Sequence, residues 1–219
     1  MILARTSVTE DAWGRAIDRL AGGRVTLLGL WGDTPDVYMA TLDEKTGDIA
    51  VISYACKNGQ YRSVGAKHPP AIRLERAIRD LHGLEAVGAA DTRPWLAHAS
   101  GPYAFLPSEG EALHQVPVVP VHAGIIEPGH FRVSADGETV VRLEDRLGYT
   151  HKGVEGLLQG ADMQRAARLA CRCSGDSPVA YGLAFARAVE AALSWSPPPR
   201  AIRLRALLAA LAHPATPLG

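Results

Sequence analysis

The chain has 219 residues, with 23 Lys plus Arg against 23 Asp plus Glu, 47% hydrophobic residues and three Cys. A chain this long buries roughly 70% of the surface its unfolded form exposes, enough for one large domain or two small ones, and its composition excludes a fibrous or wholly disordered protein. Zero net charge gives no overall pull toward nucleic acid, and no stretch approaches the roughly 20 uncharged apolar residues of a membrane span.

In chain order, Ser7-Val8-Thr9-Glu10 reads as a capping box for an amphipathic helix over residues 8–21. Trp13, Ala16, Ile17 and Leu20 lie at helical spacing within it, and Gly22-Gly23 ends it. Val25–Leu30, Val37–Leu42, Ile49–Cys56 and Tyr61–Val64 then read as strands of an antiparallel meander, with Asn58-Gly59 as a hairpin signal. Pro69-Pro70 opens a second helix through Ile72, Ala77, Ile78 and Leu81, which Gly83 closes. The order helix, strands, helix predicts an α+β domain over residues 1–85.

Residues 86–130 hold Pro94, Pro102, Pro107, Pro117, Pro120 and Pro128 and read as an extended connector. Phe131–Val133 and Thr139–Leu143 flank Asp136-Gly137 as a second hairpin, opening a segment over 131–219. Beyond Gly153 the pattern is helical, at Val154–Leu158, Ala166–Cys173, Val179–Leu193 and Ala201–Ala212. Residues 160–219 carry seven Arg against two Asp and one Glu, a local excess of four positive charges that reads as a solvated face or as a match for an acidic partner. The first eight residues hold no export signal, and three Cys without framework spacing fit a reducing, cytoplasmic compartment.

Familiar catalytic patterns are missing. There is no Gly-x-Gly-x-x-Gly after a strand and no Gly-Lys-Ser/Thr loop, so no dinucleotide or triphosphate cradle is expected. Cys171 and Cys173, two apart on a helix, turn about 200° from each other and do not grip one metal. The eight His include no pair at the helical spacing of a zinc protease. Ser174-Gly175-Asp176-Ser177 lacks the Gly-x-Ser-x-Gly frame of a nucleophile turn and reads as the N-cap of the following helix.

The string Val116-Pro117-Val118-Val119-Pro120-Val121-His122-Ala123-Gly124-Ile125-Ile126-Glu127-Pro128-Gly129-His130-Phe131-Arg132 closely resembles the opening of the large subunit of energy-converting nickel-iron hydrogenases and of the D-type component of respiratory complex I. Arg146-Leu147-Gly148-Tyr149-Thr150-His151-Lys152-Gly153-Val154-Glu155 and Leu183-Ala184-Phe185-Ala186-Arg187-Ala188-Val189-Glu190 follow in the family's order. Upstream, Glu75-Arg76, Asp80-Leu81, Gly83 and Asp91-Thr92-Arg93-Pro94-Trp95-Leu96 resemble the end of the C-type component of complex I, although Ala89-Ala90 replace the family's His-Pro after Gly88. The resemblance covers about residues 70–208.

It implies a hydrogenase site held by four thiolates, because soft sulfur binds nickel and iron. The first pair falls on Ser174 and Ser177, whose hydroxyls are poor substitutes, and the second falls beyond residue 219. The quinone-ligating histidine of the complex I branch is matched by Ile126, while Glu127 matches a carboxylate near the metal that relays protons or simply ends a strand. His122, His130 and His151 lie in the same family strings.

These matches predict a chain with no cofactor and no complete active site, scaffolding electron transfer beside other subunits of a complex I-like or hydrogenase-like complex. It would contact the inner face of the plasma membrane only through those subunits and bind no nucleic acid. The alternative is a truncated orphan structural or assembly protein. Family members continue the Arg203–Leu211 helix into a bundle, whereas here Pro214 and Pro217 follow, so the expectation is either a split or truncated gene or a partner half supplied by another chain. The exposed apolar helices that result predict a dimer or larger species in isolation.

Overall fold

A computed structural model of the chain describes residues 5–96, 103–110, 113–121 and 128–212, and these hold six helices and three sheets, the α+β class expected. The chain divides into two compact units. The first takes in the described residues up to Val119 with His130–Tyr149, and the second those of Pro120–Gly129 with the residues from Thr150 onward. The hairpin around Asp136-Gly137 groups with the residues of the N-terminal half.

The first unit begins with β1 (Arg5–Ser7) and α1 (Glu10–Ala21). The helix cap lies two residues from where the sequence predicts it. Ser7 is committed to β1, which pairs in parallel with a later strand, so Thr9 becomes the N-cap and its hydroxyl accepts from the Ala12 N–H at 3.4 Å. Strands β2 (Thr26–Asp33), β3 (Asp36–Asp43) and β4 (Asp48–Ala55) form the expected antiparallel meander, and the sheet order is β1-β4-β3-β2.

Asn58 and Gly59 take the positive φ values that their turn requires, 54° and 73°. The expected hairpin nevertheless stops at a single bridge, Lys57 to Gln60. Strand β5 (Gln60–Arg62) then pairs in parallel with β6 (Glu85–Val87), the strand that follows α2 (Ile72–His82). A 3₁₀ turn over Pro69–Ala71 leads into α2, and Gly83 ends it at φ 67° with its N–H on the Arg79 carbonyl.

Trp13, Ile17 and Leu20 of α1 pack into one cluster with Leu30, Val37, Met39, Tyr54, Tyr61, Val64, Ile78 and Leu84. Trp13 is fully buried and its indole N–H donates to the Arg62 carbonyl at 3.0 Å, so its one polar atom is satisfied.

The expected connector is partly regular, since β7 (Leu113–Val121) joins β8 (Gly129–Asp136) and β9 (Thr139–Arg146) in the order β7-β8-β9. Sequence reading misses β7 because Pro117 interrupts it. As an edge strand it tolerates a residue that cannot donate to the ladder. The β8-β9 ladder is inside out: His130, Arg132, Ser134, Arg142, Glu144 and Arg146 share one face, on which Ser134 and Arg146 are buried. Leu143, on the opposite face, is 63% exposed.

The second unit contains α3 (Val154–Leu158), α4 (Met163–Ala170), α5 (Pro178–Ala192) and α6 (Pro199–Ala212). Asp162 caps α4 by accepting from the Arg165 N–H at 2.8 Å. Cys171 and Cys173 lie in the turn after α4, not on a helix as expected, because the Cys173 N–H bonds the Ala170 carbonyl and tightens the chain out of the helix. Neither α5 nor α6 has a buried residue.

Candidate functional site

Two polar constellations stand out, one in each unit. In the first unit, Arg76 of α2 is 4% exposed at its side chain and donates to Asp91 at 3.1 Å, to the Arg93 and Pro94 carbonyls at 2.8 Å each, and to the Tyr103 hydroxyl. Its guanidinium also lies 4.9 Å from the Trp95 ring centre and 5.6 Å from that of Tyr103. Arg93 forks onto Asp91 and reaches Glu144 of β9 and the Ala104 carbonyl. Arg146 donates to the Trp95 carbonyl and lies over Tyr103, while Asp80 accepts from the Trp95 and Leu96 N–H groups at 2.7 and 2.8 Å.

The charges in this clasp hold one another in place. Burial pushes the Asp91 carboxyl up, but the Arg93 hydrogen bonds and the Arg76 and Arg93 charges outweigh it and keep the group below the usual aspartate range. Hydrogen bonds to Asp91 and Glu144 raise Arg93 further against the opposing effect of burial. Beside the clasp, burial pushes Glu75 up, although it accepts from Ser63 Oγ at 2.9 Å and the Val64 N–H at 2.6 Å. A Cβ on Gly65 would come within 2.7 Å of Glu75 Oε2, so glycine permits that close approach.

The clasp offers bidentate cations and acceptors that already satisfy each other, and no nucleophile. It fastens residues 91–96 and 103–108 between α2 and β9. Sequence reasoning reaches its strings, Glu75-Arg76 and Asp91–Leu96, only through family resemblance and does not connect them to Tyr103, Glu144 and Arg146. The legible signal is charged residues alternating with Val and Leu along β9, the pattern of a strand with a buried polar face.

In the second unit, the loop between α4 and α5 brings Ser174 and Ser177 together on one acceptor. Both hydroxyls donate to Asp176 Oδ1, that of Ser177 at 3.2 Å, and these bonds hold the Asp176 carboxyl below its usual range. Ser177 occupies the N-cap position of α5, but its hydroxyl bonds Asp176 and caps nothing. His151 lies exposed in the coil before α3. His130 sits on β8 in the first unit, its ring 4.8 Å from Phe105, and its buried Nε2 has no hydrogen-bond partner among the described residues. His122 and Glu127 lie outside the described residues.

A nickel-iron centre does not fit the side chains this loop presents. Ser174 and Ser177 offer hard, weakly acidic hydroxyls already donated to a carboxylate. Among the described residues, no three His, Cys, Asp or Glu side chains group in a way that would hold a metal.

No family model matches the chain. Hydrogenase-4 component G of Escherichia coli (strain K12) is 31% identical over 175 residues, 68% of this chain and 32% of that protein. Formate hydrogenlyase subunit 5 of the same organism is 30% identical over 176 residues, 68% of this chain and 31% of its own length. The chain is a homologue of the complex I/hydrogenase family. A D-type NADH-quinone oxidoreductase subunit of Sinorhizobium medicae (strain WSM419) represents the complex I branch, at 34% identity over 109 residues, 48% of this chain and 27% of that protein. The chain thus spans about a third of the length of the hydrogenase relatives it matches. No described helix is long and apolar enough to cross a membrane.

Proposed function

We propose that this chain is a partner-dependent, non-catalytic subunit of a complex I-like or hydrogenase-like oxidoreductase. In this reading the first unit docks against neighbouring subunits through a sheet and hairpin locked by the arginine clasp. The second is a metal-free counterpart of part of a large subunit, and electron transfer runs through other chains. Its place is the cytoplasmic, peripheral side of the complex, with the membrane reached only through partners.

The observation that carries this reading is the hydrogen bonding of Ser174 and Ser177 to Asp176 at the two positions where the family resemblance expects thiolates. The relatives named as hydrogenase components and NADH-quinone oxidoreductase subunits support the kind of assembly. Taken alone, the chain self-associates through α5 and α6, which expose Tyr181, Leu193, Leu207 and Leu211.

Affinity purification of the tagged chain from its native membranes, with elemental analysis of the product, tests the proposal. Other oxidoreductase subunits are expected to copurify, and the chain separated from them holds nickel far below one atom per molecule. One nickel per chain overturns the metal-free role. Copurification of no oxidoreductase subunit replaces this reading with an orphan structural or assembly protein.

A further inference from the structure

We propose that α6, together with the groove it forms against α5, is a docking face for an acidic amphipathic helix of another polypeptide. The inference deepens the partner-dependent role above and rests on it.

The face begins as sequence periodicity. Leu204, Leu207, Leu208 and Leu211 recur at i, i+3, i+4 and i+7, so they form one stripe along α6. All four are exposed, from 49% at Leu204 to 65% at Leu211. Beside the stripe lies a groove of about 310 Å³, lined by Pro178, Val179, Gly182, Leu183, Ala186 and Leu208. Its floor needs glycine, because a Cβ on Gly182 would come within 2.8 Å of Cys171 Sγ. A stripe beside an apolar groove is the arrangement that receives the anchor residues of a helix.

Charge selects the occupant. The second unit's described residues after 159 carry seven Arg and three carboxylates, and each carboxylate is engaged within the unit. Asp162 caps α4, Asp176 accepts from two serines, and Glu190 pairs with Arg205 at 2.5 Å. Arg200 and Arg203, both exposed at the start of the stripe, therefore face no carboxylate partner among the described residues. Arg200 also sits in the first turn of α6, where the helix dipole disfavours positive charge, so an approaching carboxylate relieves that repulsion as well. A second copy that meets this face through its own α5 and α6 brings only Glu190, already paired with Arg205, and leaves this demand unmet. A helix with an apolar stripe flanked by Asp or Glu meets it.

The test uses the full chain and two synthetic helical peptides with the same Leu and Ala face, one flanked by Glu and one by Lys, titrated by fluorescence anisotropy. The Glu peptide is expected to bind roughly tenfold more tightly at low salt, with the gap closing as salt rises, as two exposed ion pairs allow. Replacing both arginines, Arg200→Glu with Arg203→Glu, inverts the preference, and that gain of Lys-peptide binding shows that the variant is folded.

Equal affinity for the two peptides overturns the proposal, as does binding of neither, or a preference that survives the double substitution. Retention of the self-associated species at saturating Glu peptide also overturns it, since the face then belongs to a second copy. Nickel in the chain or failure of other subunits to copurify would strike the functional reading instead and would leave the peptide preference as measured.

Discussion

The first unit and the C-terminal helices draw on similar residues and use them in opposite ways. Trp13, Ile17, Val37, Met39 and Val64 are fully buried between α1, α2 and the meander, whereas α5 and α6, rich in Ala and Leu, bury nothing. The difference is one of layers. A helix laid on a sheet closes a core between two surfaces, while among the described residues of its unit α5 has only the short α4 and α6 packed along it. The leucine stripe of α6 lies exposed, and contiguous apolar surface of that kind suits a covering layer.

The sharpest way to break this comparison is to truncate one residue on each side. Trp13→Ala is expected to cost about 3–5 kcal/mol of unfolding free energy, measured by urea denaturation, because it leaves a large cavity and removes the bond to the Arg62 carbonyl. Arg76→Met comes next, at about 3 kcal/mol, since it takes from Asp91 one of its two arginine partners and leaves two carbonyls without their donor. In the C-terminal arm, Leu207→Ala should change unfolding free energy by less than about 0.5 kcal/mol while weakening self-association in sedimentation. A large stability loss there would mean that α6 already has its core.

Acid offers a further probe of the first unit. The folded chain holds Asp91 below its usual pKa, so folded protein binds that proton less readily than unfolded protein. The resulting stability is fully present above the ordinary aspartate value and is lost as pH falls through the lower, folded one. Glu75 has the opposite sign: burial raises its pKa, so its contribution is complete below the ordinary glutamate value and fades as pH rises through the folded one. Urea midpoints followed across the acid range should therefore fall at the acid end for the wild type and fall less for Asp91→Asn. Glu75→Gln should flatten the loss on the rising side. These pH effects are expected to be smaller than the loss from Arg76→Met.

Much of the first unit is legible residue by residue. Gly22-Gly23, Gly83 and Asp136-Gly137 end or turn the elements where their backbone freedom predicts, and Trp13, Ile17 and Leu20 form the buried face of α1. Ser7 misleads because a capping hydroxyl and a strand residue look alike until the parallel partner, Ser53 on β4, is known. The Asn58-Gly59 turn forms but its hairpin does not, because Tyr61 pairs with Ala86, across the whole of α2. Short-range pattern cannot weigh a partner so distant in sequence. The candidate site is half legible: family resemblance marks Ser174 and Ser177, but their common acceptor, Asp176, reads from sequence only as a cap.

The sequence by itself determined the class of the fold, the places where helices stop, and the apolar character of the last two helices, since these follow from periodicity, glycine and proline acting within a few residues. Tertiary structure alone decided that Arg76, Arg93 and Arg146 converge on Asp91, Tyr103 and Glu144, and that the charged face of β9 turns inward while Leu143 turns out. Those outcomes depend on which surfaces meet, and burial lends a charge its weight only once every partner that can neutralise it has come within reach.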